Sequence, residues 1–135
     1  MIENQVIIRV RYSETDRMGY VYYGNYAAYF EVARVETLRK MGVNYKDIED
    51  DGVLLPVVDF KIKYLKPAYY DEELTIKLKI NKMPGVRLHF EYETRNVKNE
   101  LLNTAETTLV FMNEKTQRPM QIPKGLKENF ARFFK

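Results

Sequence analysis

The residues best suited to chemistry lie in one segment, between Tyr12 and Gly42 (YSETDRMGYVYYGNYAAYFEVARVETLRKMG). Asp16 stands in a glycine-containing turn between a predicted strand and a long apolar stretch with helical spacing. Its carboxylate would therefore lie beside the amide-rich start of a helix, where anions and developing oxyanions are stabilised. This combination suggests a small hydrolytic site, although an acid in such a turn can also be purely structural.

The rest of the chain offers few other groups for hydrolysis. Ser13 is the only serine, His89 is the only histidine, and there is no cysteine. A serine triad would need both of these single residues, and Ser13 lies in no G-x-S-x-G context. The lack of cysteine excludes disulfides, zinc–cysteine sites and cysteine nucleophiles. Hydrolysis would therefore rest on a carboxylate, a tyrosine or backbone dipoles, and we expect no metal and no cofactor.

Composition narrows the class of protein. A chain of 135 residues, 45% of them apolar, is expected to form one domain spanning residues 1–135. The net charge of +3 is compatible with an anionic small molecule and is too weak to indicate nucleic acid. The longest uncharged stretch, Met18 to Phe30, is too short to span a bilayer. Since the N-terminus also lacks the features of a signal peptide, we expect a soluble cytoplasmic protein.

The elements that would position Asp16 can be read from the period of the apolar residues. Gln5 to Tyr12 alternates as a strand with one buried face, and apolar residues recur at helical spacing from about Tyr23 to Met41. The first half of this helix carries no charge before Glu31, so we expect it to be enclosed on several sides.

After Gly52 apolar residues recur at every second position, a period that predicts four consecutive strands. A short amphipathic helix carrying Leu126, Phe130 and Phe133 follows Pro123. Adjacent strands joined by tight turns should be antiparallel. The order therefore predicts an α+β fold: a five-stranded antiparallel sheet wrapped around one long central helix, with a short C-terminal helix. The predicted core-facing residues of the four strands are Val58, Phe60, Ile62 and Tyr64; Leu74, Ile76, Leu78 and Ile80; Leu88, Phe90, Tyr92 and Thr94; and Ala105, Thr107, Leu109 and Phe111.

The chain resembles the 4-hydroxybenzoyl-CoA thioesterase family of hotdog-fold proteins, in particular its small bacterial acyl-CoA thioesterase branch. The resemblance covers nearly the whole chain, and its first motif is the most specific. The matching residues are Tyr12-x-x-x-Asp16-x-x-Gly19-x-Val21-Tyr22-x-x-x-Tyr26, Tyr29-Phe30-Glu31, Ala33-Arg34, Ile62-x-Tyr64, Pro67-Ala68, Asp71, Arg118-Pro119 and Ile122-Pro123.

The resemblance implies a single hotdog domain and a role for particular residues. Asp16 would be the catalytic carboxylate, and the backbone N–H near Tyr23 would polarise the thioester carbonyl. Tyr12, Gly19 and Tyr22 would bind substrate and shape the pocket and its turn. Tyr23 stands where bacterial members of this branch commonly have histidine. A tyrosine donates a hydrogen bond but does not shuttle protons near neutral pH.

The predicted function is hydrolysis of an acyl-CoA thioester to a free acid and CoA, with Asp16 as nucleophile or general base. Two alternatives stay open: a thioesterase acting on acyl groups carried by acyl carrier protein, and a non-catalytic hotdog module that binds acyl or CoA ligands. The resemblance also implies a homodimer or homotetramer with sites at the subunit interface. Several basic residues could hold CoA phosphates, namely Lys61, Lys63, Lys66, Lys82 and Arg87.

Overall fold

The computed structural model describes residues 1–134. In chain order its elements are β1 (Ile2–Arg9), α1 (Asn25–Lys40), α2 (Tyr45–Asp50), β2 (Val53–Leu54), β3 (Val57–Tyr64), β4 (Glu73–Ile80), β5 (Arg87–Arg95), β6 (Leu101–Val110), β7 (Met112–Asn113) and α3 (Lys124–Ala131). A single 3-10 turn, Tyr12–Glu14, follows β1. None of the helices in the described part of the chain is long and apolar enough to cross a membrane.

Five strands form one antiparallel sheet in the order β1-β4-β5-β6-β3, and β2 pairs with β7 apart from it. The predicted α+β class with an antiparallel sheet is therefore confirmed. β4 and β5 are central, and their side chains alternate between buried and more exposed along their length. This alternation is the expected pattern for a sheet with one face packed on the core and the other toward solvent.

α1 packs on the buried face of the sheet. The Phe30 ring stacks on Tyr92 of β5 with centroids 4.3 Å apart, and it meets Phe60 of β3 edge-on at 5.9 Å. Phe30 is fully buried, and burying such a ring contributes about 1.5–3 kcal/mol. α1 has 16 residues and is somewhat shorter than the predicted Tyr23–Met41. The residue after its C-terminal cap, Gly42, has a φ of +85°, a left-handed conformation that glycine adopts readily at the end of a helix.

Two predicted buried surfaces are instead exposed. Ala28 and Val32 lie on an open side of α1, although its uncharged first half was expected to be enclosed. In β3, Phe60 and Tyr64 are 39% and 48% exposed. Because β3 is an edge strand that pairs with β6 alone within residues 1–134, its side chains lack a neighbouring strand on one flank. We call the exposed apolar residues there the β3 edge: Val57, Val58, Phe60, Tyr64 and Leu65.

Candidate active site

The Asp16 carboxylate is held by its own turn. Its Oδ1 accepts hydrogen bonds from the backbone N–H of Met18 at 2.9 Å and of Tyr20 at 3.1 Å. Gly19 completes the turn with a φ of +80°, and its N–H donates to the Asp16 carbonyl at 3.0 Å. Oδ2 makes no hydrogen bond within residues 1–134. One carboxylate oxygen is thus fixed by the backbone, and the other is available for water or a substrate.

The start of α1 leaves two backbone donors without acceptors. The Tyr22 N–H donates to the Glu14 carbonyl at 2.8 Å, and the Asn25 N–H donates to the Tyr22 carbonyl at 2.9 Å. Between them, the N–H groups of Tyr23 and Gly24 have no acceptor among the described residues. Such unpaired amides at a helix N-terminus, where the helix dipole is positive, favour a negatively charged oxygen.

A pocket of about 330 Å³ brings the turn and the helix start together. Its third wall comes from the end of β3 and the turn after it. The two loops are tied by a hydrogen bond from the Val21 N–H to the Ala68 carbonyl at 2.8 Å. Within residues 1–134, no three His, Asp or Glu side chains are arranged to hold a metal ion. The lining residues are Asp16, Met18, Tyr20, Val21, Tyr23, Tyr26, Tyr64, Leu65, Lys66, Pro67 and Ala68.

The five residues predicted from the sequence have different places. Asp16 and Tyr23 both line the pocket, whereas Tyr12, Gly19 and Tyr22 do not. Tyr12 is 76% exposed, and its ring meets Tyr70 edge-on at 5.5 Å. Tyr22 packs against the ring of Tyr23, with centroids 4.6 Å apart. The roles of these five residues stay predictions, with Tyr22 placed to support Tyr23 and Gly19 to shape the turn.

Glu14 is a residue that the sequence reasoning missed. It is only 8% exposed, and its Oε1 accepts hydrogen bonds from the Tyr29 hydroxyl at 2.9 Å and the Arg11 N–H at 2.8 Å. The Arg11 guanidinium donates to Oε2 at 2.9 Å. Burial raises the pKa of Glu14, but the hydrogen bonds from Arg11 and Tyr29 outweigh burial and hold it below its ordinary value. Glu14 is thus an ionised buried carboxylate.

The Glu14 backbone also helps to build the site. Its carbonyl accepts hydrogen bonds from the Tyr22 N–H at 2.8 Å and from the Asn25 side chain at 2.7 Å. Glu14 therefore joins the turn that carries Asp16 to the first residues of α1. No signal in the sequence would have placed it inside, because a lone acid in a turn is ordinarily solvated.

The third wall of the pocket was only partly visible in the sequence. Tyr64, Pro67 and Ala68 belong to the quoted family pattern, but nothing in their spacing places them beside Asp16. Among the basic residues considered for CoA phosphates, Lys66 lines this pocket, and its ammonium group pairs with Glu100. Tyr26, which closes the first family motif, is 2% exposed and also forms part of the pocket wall.

These features suit attack on a carbonyl carbon. The free Asp16 oxygen can act as nucleophile or as base for water. The unpaired N–H groups of Tyr23 and Gly24 can stabilise the oxyanion that forms. Aromatic and aliphatic walls can hold an apolar acyl group. The arrangement is therefore suited to hydrolysis of an activated acyl derivative.

Comparisons with known proteins agree with this chemistry. A model of the thioesterase-like superfamily matches residues 10–130. The acyl-CoA thioester hydrolase YbgC of Escherichia coli O6:H1 is 33% identical over 123 residues, which cover 91% of this chain and 92% of that protein. The crystal structure of DHNA-CoA thioesterase from Staphylococcus aureus matches with a TM-score of 0.93 at 36% identity, covering 98% of this chain and 91% of that one. The acyl-acyl carrier protein thioesterase ATL3 of Arabidopsis thaliana is 26% identical, covering 98% of this chain and 70% of that protein.

Proposed function

The chain belongs to the thioesterase-like superfamily, and we propose that it is an enzyme that hydrolyses acyl-CoA thioesters to a free acid and CoA. The observation that carries this proposal is the Asp16 carboxylate, which lies in the same pocket as the start of α1 and whose Oδ2 accepts no hydrogen bond within residues 1–134. Two relatives at 33% and 36% identity, named as an acyl-CoA thioester hydrolase and a DHNA-CoA thioesterase, support it.

The proposed reaction begins with attack on the thioester carbonyl carbon. In the general-base route, Asp16 Oδ2 takes a proton from water while the water oxygen bonds to that carbon. In the nucleophilic route, Oδ2 itself bonds to the carbon and forms a mixed anhydride, which water then hydrolyses. In both routes the carbonyl oxygen becomes negatively charged, the C–S bond breaks, and the CoA thiolate leaves and takes up a proton.

The N–H groups of Tyr23 and Gly24 are the proposed donors to the oxyanion. Removing one such donor from a preorganised site typically costs about 10²–10³-fold in turnover. Tyr23 also lines the pocket, and its hydroxyl is the proposed side-chain donor there. We assign supporting roles in substrate binding to Tyr12, Gly19 and Tyr22, as predicted from the sequence.

We also propose a hotdog arrangement in which residues 1–135 form one thioesterase domain, with the sheet wrapped around α1. The motifs between Tyr12 and Arg34 favour the 4-hydroxybenzoyl-CoA thioesterase family within the superfamily. The cytoplasmic location predicted from the sequence stays a prediction.

A second copy of the chain is the proposed occupant of the β3 edge. The strand presents unpaired backbone groups, and Val57 and Val58 beside them are 46% and 55% exposed. Exposed edges of this kind pair readily with another strand. Val32 on the open side of α1 is also 45% exposed and adds a second uncovered apolar residue. We therefore propose a homodimer or homotetramer with the pocket close to the interface.

Thioester hydrolysis on acyl carrier protein is a second candidate, favoured by the similarity to ATL3. An acidic carrier would suit the net charge of +3. Binding to a basic surface weakens steeply with added salt. Hydrolysis restricted to the carrier-bound thioester and lost at high salt would favour this candidate. A non-catalytic binding module would instead show ligand-dependent thermal stabilisation without hydrolysis of any thioester.

The decisive test of the proposed function uses Asp16→Asn. Thiol release from a panel of acyl-CoA substrates should fall about 10²–10⁴-fold, because a positioned acid or base supplies this much. Asp50→Asn is the matched control, since Asp50 lies in α2, outside the pocket lining, and pairs with Lys46. Unchanged turnover in a folded Asp16→Asn variant would contradict the assignment.

A further inference from the structure

The start of α1 is tied to the loop before it through a single backbone oxygen, the carbonyl of Glu14. This oxygen accepts a hydrogen bond from the Tyr22 N–H at 2.8 Å and another from the Asn25 side-chain amide at 2.7 Å. The Asn25 N–H in turn donates to the Tyr22 carbonyl at 2.9 Å. We call these three bonded residues, Glu14, Tyr22 and Asn25, the Glu14 clamp. Tyr23 and Gly24, whose N–H groups are unpaired, lie in the chain between its two donor residues.

The Glu14 side chain attaches the same residue to α1 a second time. Its Oε1 accepts a hydrogen bond from the Tyr29 hydroxyl at 2.9 Å, and its Oε2 pairs with the Arg11 guanidinium at 2.9 Å. Asn25 and Tyr29 are four residues apart in α1, so they lie on one face of the helix at successive turns. Attachment at two successive turns fixes both the rotation of α1 and its position along its axis relative to the turn that carries Asp16.

The asparagine at the start of α1 does not cap its own helix. The start of α1 has no side-chain cap within residues 1–134. In α2, by contrast, the residue before the helix is Asn44, and its side chain accepts a hydrogen bond from the Lys46 N–H at 2.9 Å, the usual capping arrangement. Because the Asn25 amide donates to the Glu14 carbonyl instead, it secures the helix start and leaves the two unpaired N–H groups open.

The Tyr22 ring packs against both residues that carry the unpaired N–H groups. A Cβ at Gly24 would lie only 3.0 Å from Cε2 of this ring, so the glycine is what allows the ring to approach the helix start. The same ring packs on Tyr23, with centroids 4.6 Å apart. A shift of Tyr22 within the Glu14 clamp would therefore also move its two neighbours.

We propose that Asn25 and Glu14 are positioning residues, which hold the Tyr23 and Gly24 N–H groups in place relative to the Asp16 carboxylate without touching substrate. Neither of the two lines the pocket. Donors to an oxyanion are effective only when they point at the oxygen that becomes charged, and a displacement of about 1 Å can cost about 10²-fold in rate. This role rests on the proposed thioesterase function and adds two residues to it.

The test uses Asn25→Ala in the whole chain, with thiol release from the acyl-CoA panel as the readout. We expect kcat to fall about 10–10²-fold, because the two N–H groups are no longer held in place, and KM to stay within about twofold, because Asn25 does not touch substrate. Asn44→Ala is the matched control. It removes the asparagine at the start of α2, so it should lower the midpoint of thermal unfolding and leave kcat unchanged.

Hydrogen exchange tests the Glu14 clamp independently of activity. The Tyr22 N–H is protected by its bond to the Glu14 carbonyl, which loses its second donor in Asn25→Ala. This N–H should then exchange about 2–10-fold faster, the factor that corresponds to one lost hydrogen bond. The amides of the central strand β4 should exchange as slowly as in the wild type, since only a general loss of stability would speed them.

Several outcomes would overturn this role. One is a folded Asn25→Ala protein with the kcat of the wild type, and another is an equal fall of kcat in Asn44→Ala. Should Asn25→Ala fail to fold, Asn25→Asp decides in its place, because it keeps the shape of the side chain, suits a helix N-terminus and cannot donate when ionised. Should the wild type hydrolyse none of these thioesters, the proposed function fails on this panel, and the Tyr22 exchange rate decides alone. Faster exchange in the variant then supports the clamp, and an unchanged rate rejects it.

Discussion

Removing the Tyr29 hydroxyl should destabilise the protein through a single lost hydrogen bond. This hydroxyl donates to Glu14 Oε1 at 2.9 Å, and the two residues are only 3% and 8% exposed. A hydrogen bond to a charged group contributes about 1.5–3 kcal/mol. Tyr29→Phe keeps the ring and its edge contact with Tyr26, so the free energy of unfolding should fall by about this amount.

The size of the effect should depend on pH. The pKa of Glu14 is lowered from its ordinary value of 4.5, so its ionised form stabilises the fold above that pH. The stabilisation is lost as the pH falls through the lowered pKa of the folded state, because the carboxyl group is then protonated. The deficit of Tyr29→Phe should therefore be complete at neutral pH and shrink below 4.5.

Urea denaturation at pH 7 and at several acidic values measures this deficit directly. In thermal melts, each kcal/mol corresponds to about 3–5 °C for a chain of this length. Tyr70→Phe is the matched control, since Tyr70 is 57% exposed and should lose almost nothing. The reasoning would be refuted by a Tyr29→Phe protein as stable as the wild type at pH 7, or by a deficit that persists unchanged on acidification.

Three further perturbations test other parts of the structure. Gly19→Ala should lower the free energy of unfolding, measured by urea denaturation, by about 1–2 kcal/mol. The reason is the φ of +80° at this position, since a Cβ there would meet nothing within 4 Å. Gly125→Ala in α3 is the control and should not lower the free energy of unfolding. Thr94→Val should raise the free energy of unfolding of the ligand-free protein by about 1 kcal/mol, since it removes a buried hydroxyl that has no hydrogen-bond partner within residues 1–134. A loss of stability would show that this hydroxyl makes a hydrogen bond. Val58→Lys should shift the protein toward monomer in analytical ultracentrifugation, because a charge on the β3 edge opposes strand pairing; an unchanged mass would argue against a dimer through β3.

The strands were predictable because a sheet with one buried face forces apolar residues to alternate. β4 and β5 follow this rule closely because a neighbouring strand flanks each of them on both sides. β3 has the same alternation in sequence, yet Phe60 and Tyr64 are largely exposed. The period of a strand tells which residues share a face, but not whether that face is covered.

The local geometry of the candidate site was predictable only along the segment where that site is continuous in sequence. An acid, a glycine and the start of a helix lie within about ten residues of one another, and their local hydrogen bonds depend on neighbours only. The buried state of Glu14 depends on Tyr29, one helical turn inside α1, and on Arg11 before the turn. A charged residue in a turn carries no sign of such partners.

The sequence by itself determined the antiparallel strands, the helix α1 and the turn that holds Asp16, because these depend on short-range periodicity and backbone conformation. Only the tertiary structure decided what faces Asp16. The sheet order puts β3 at the edge and so brings Tyr64 and Ala68 to the pocket, some fifty positions further along the chain. The register between β5 and β6 likewise pairs Thr94 with Asn103, residues whose spacing in sequence says nothing about their contact.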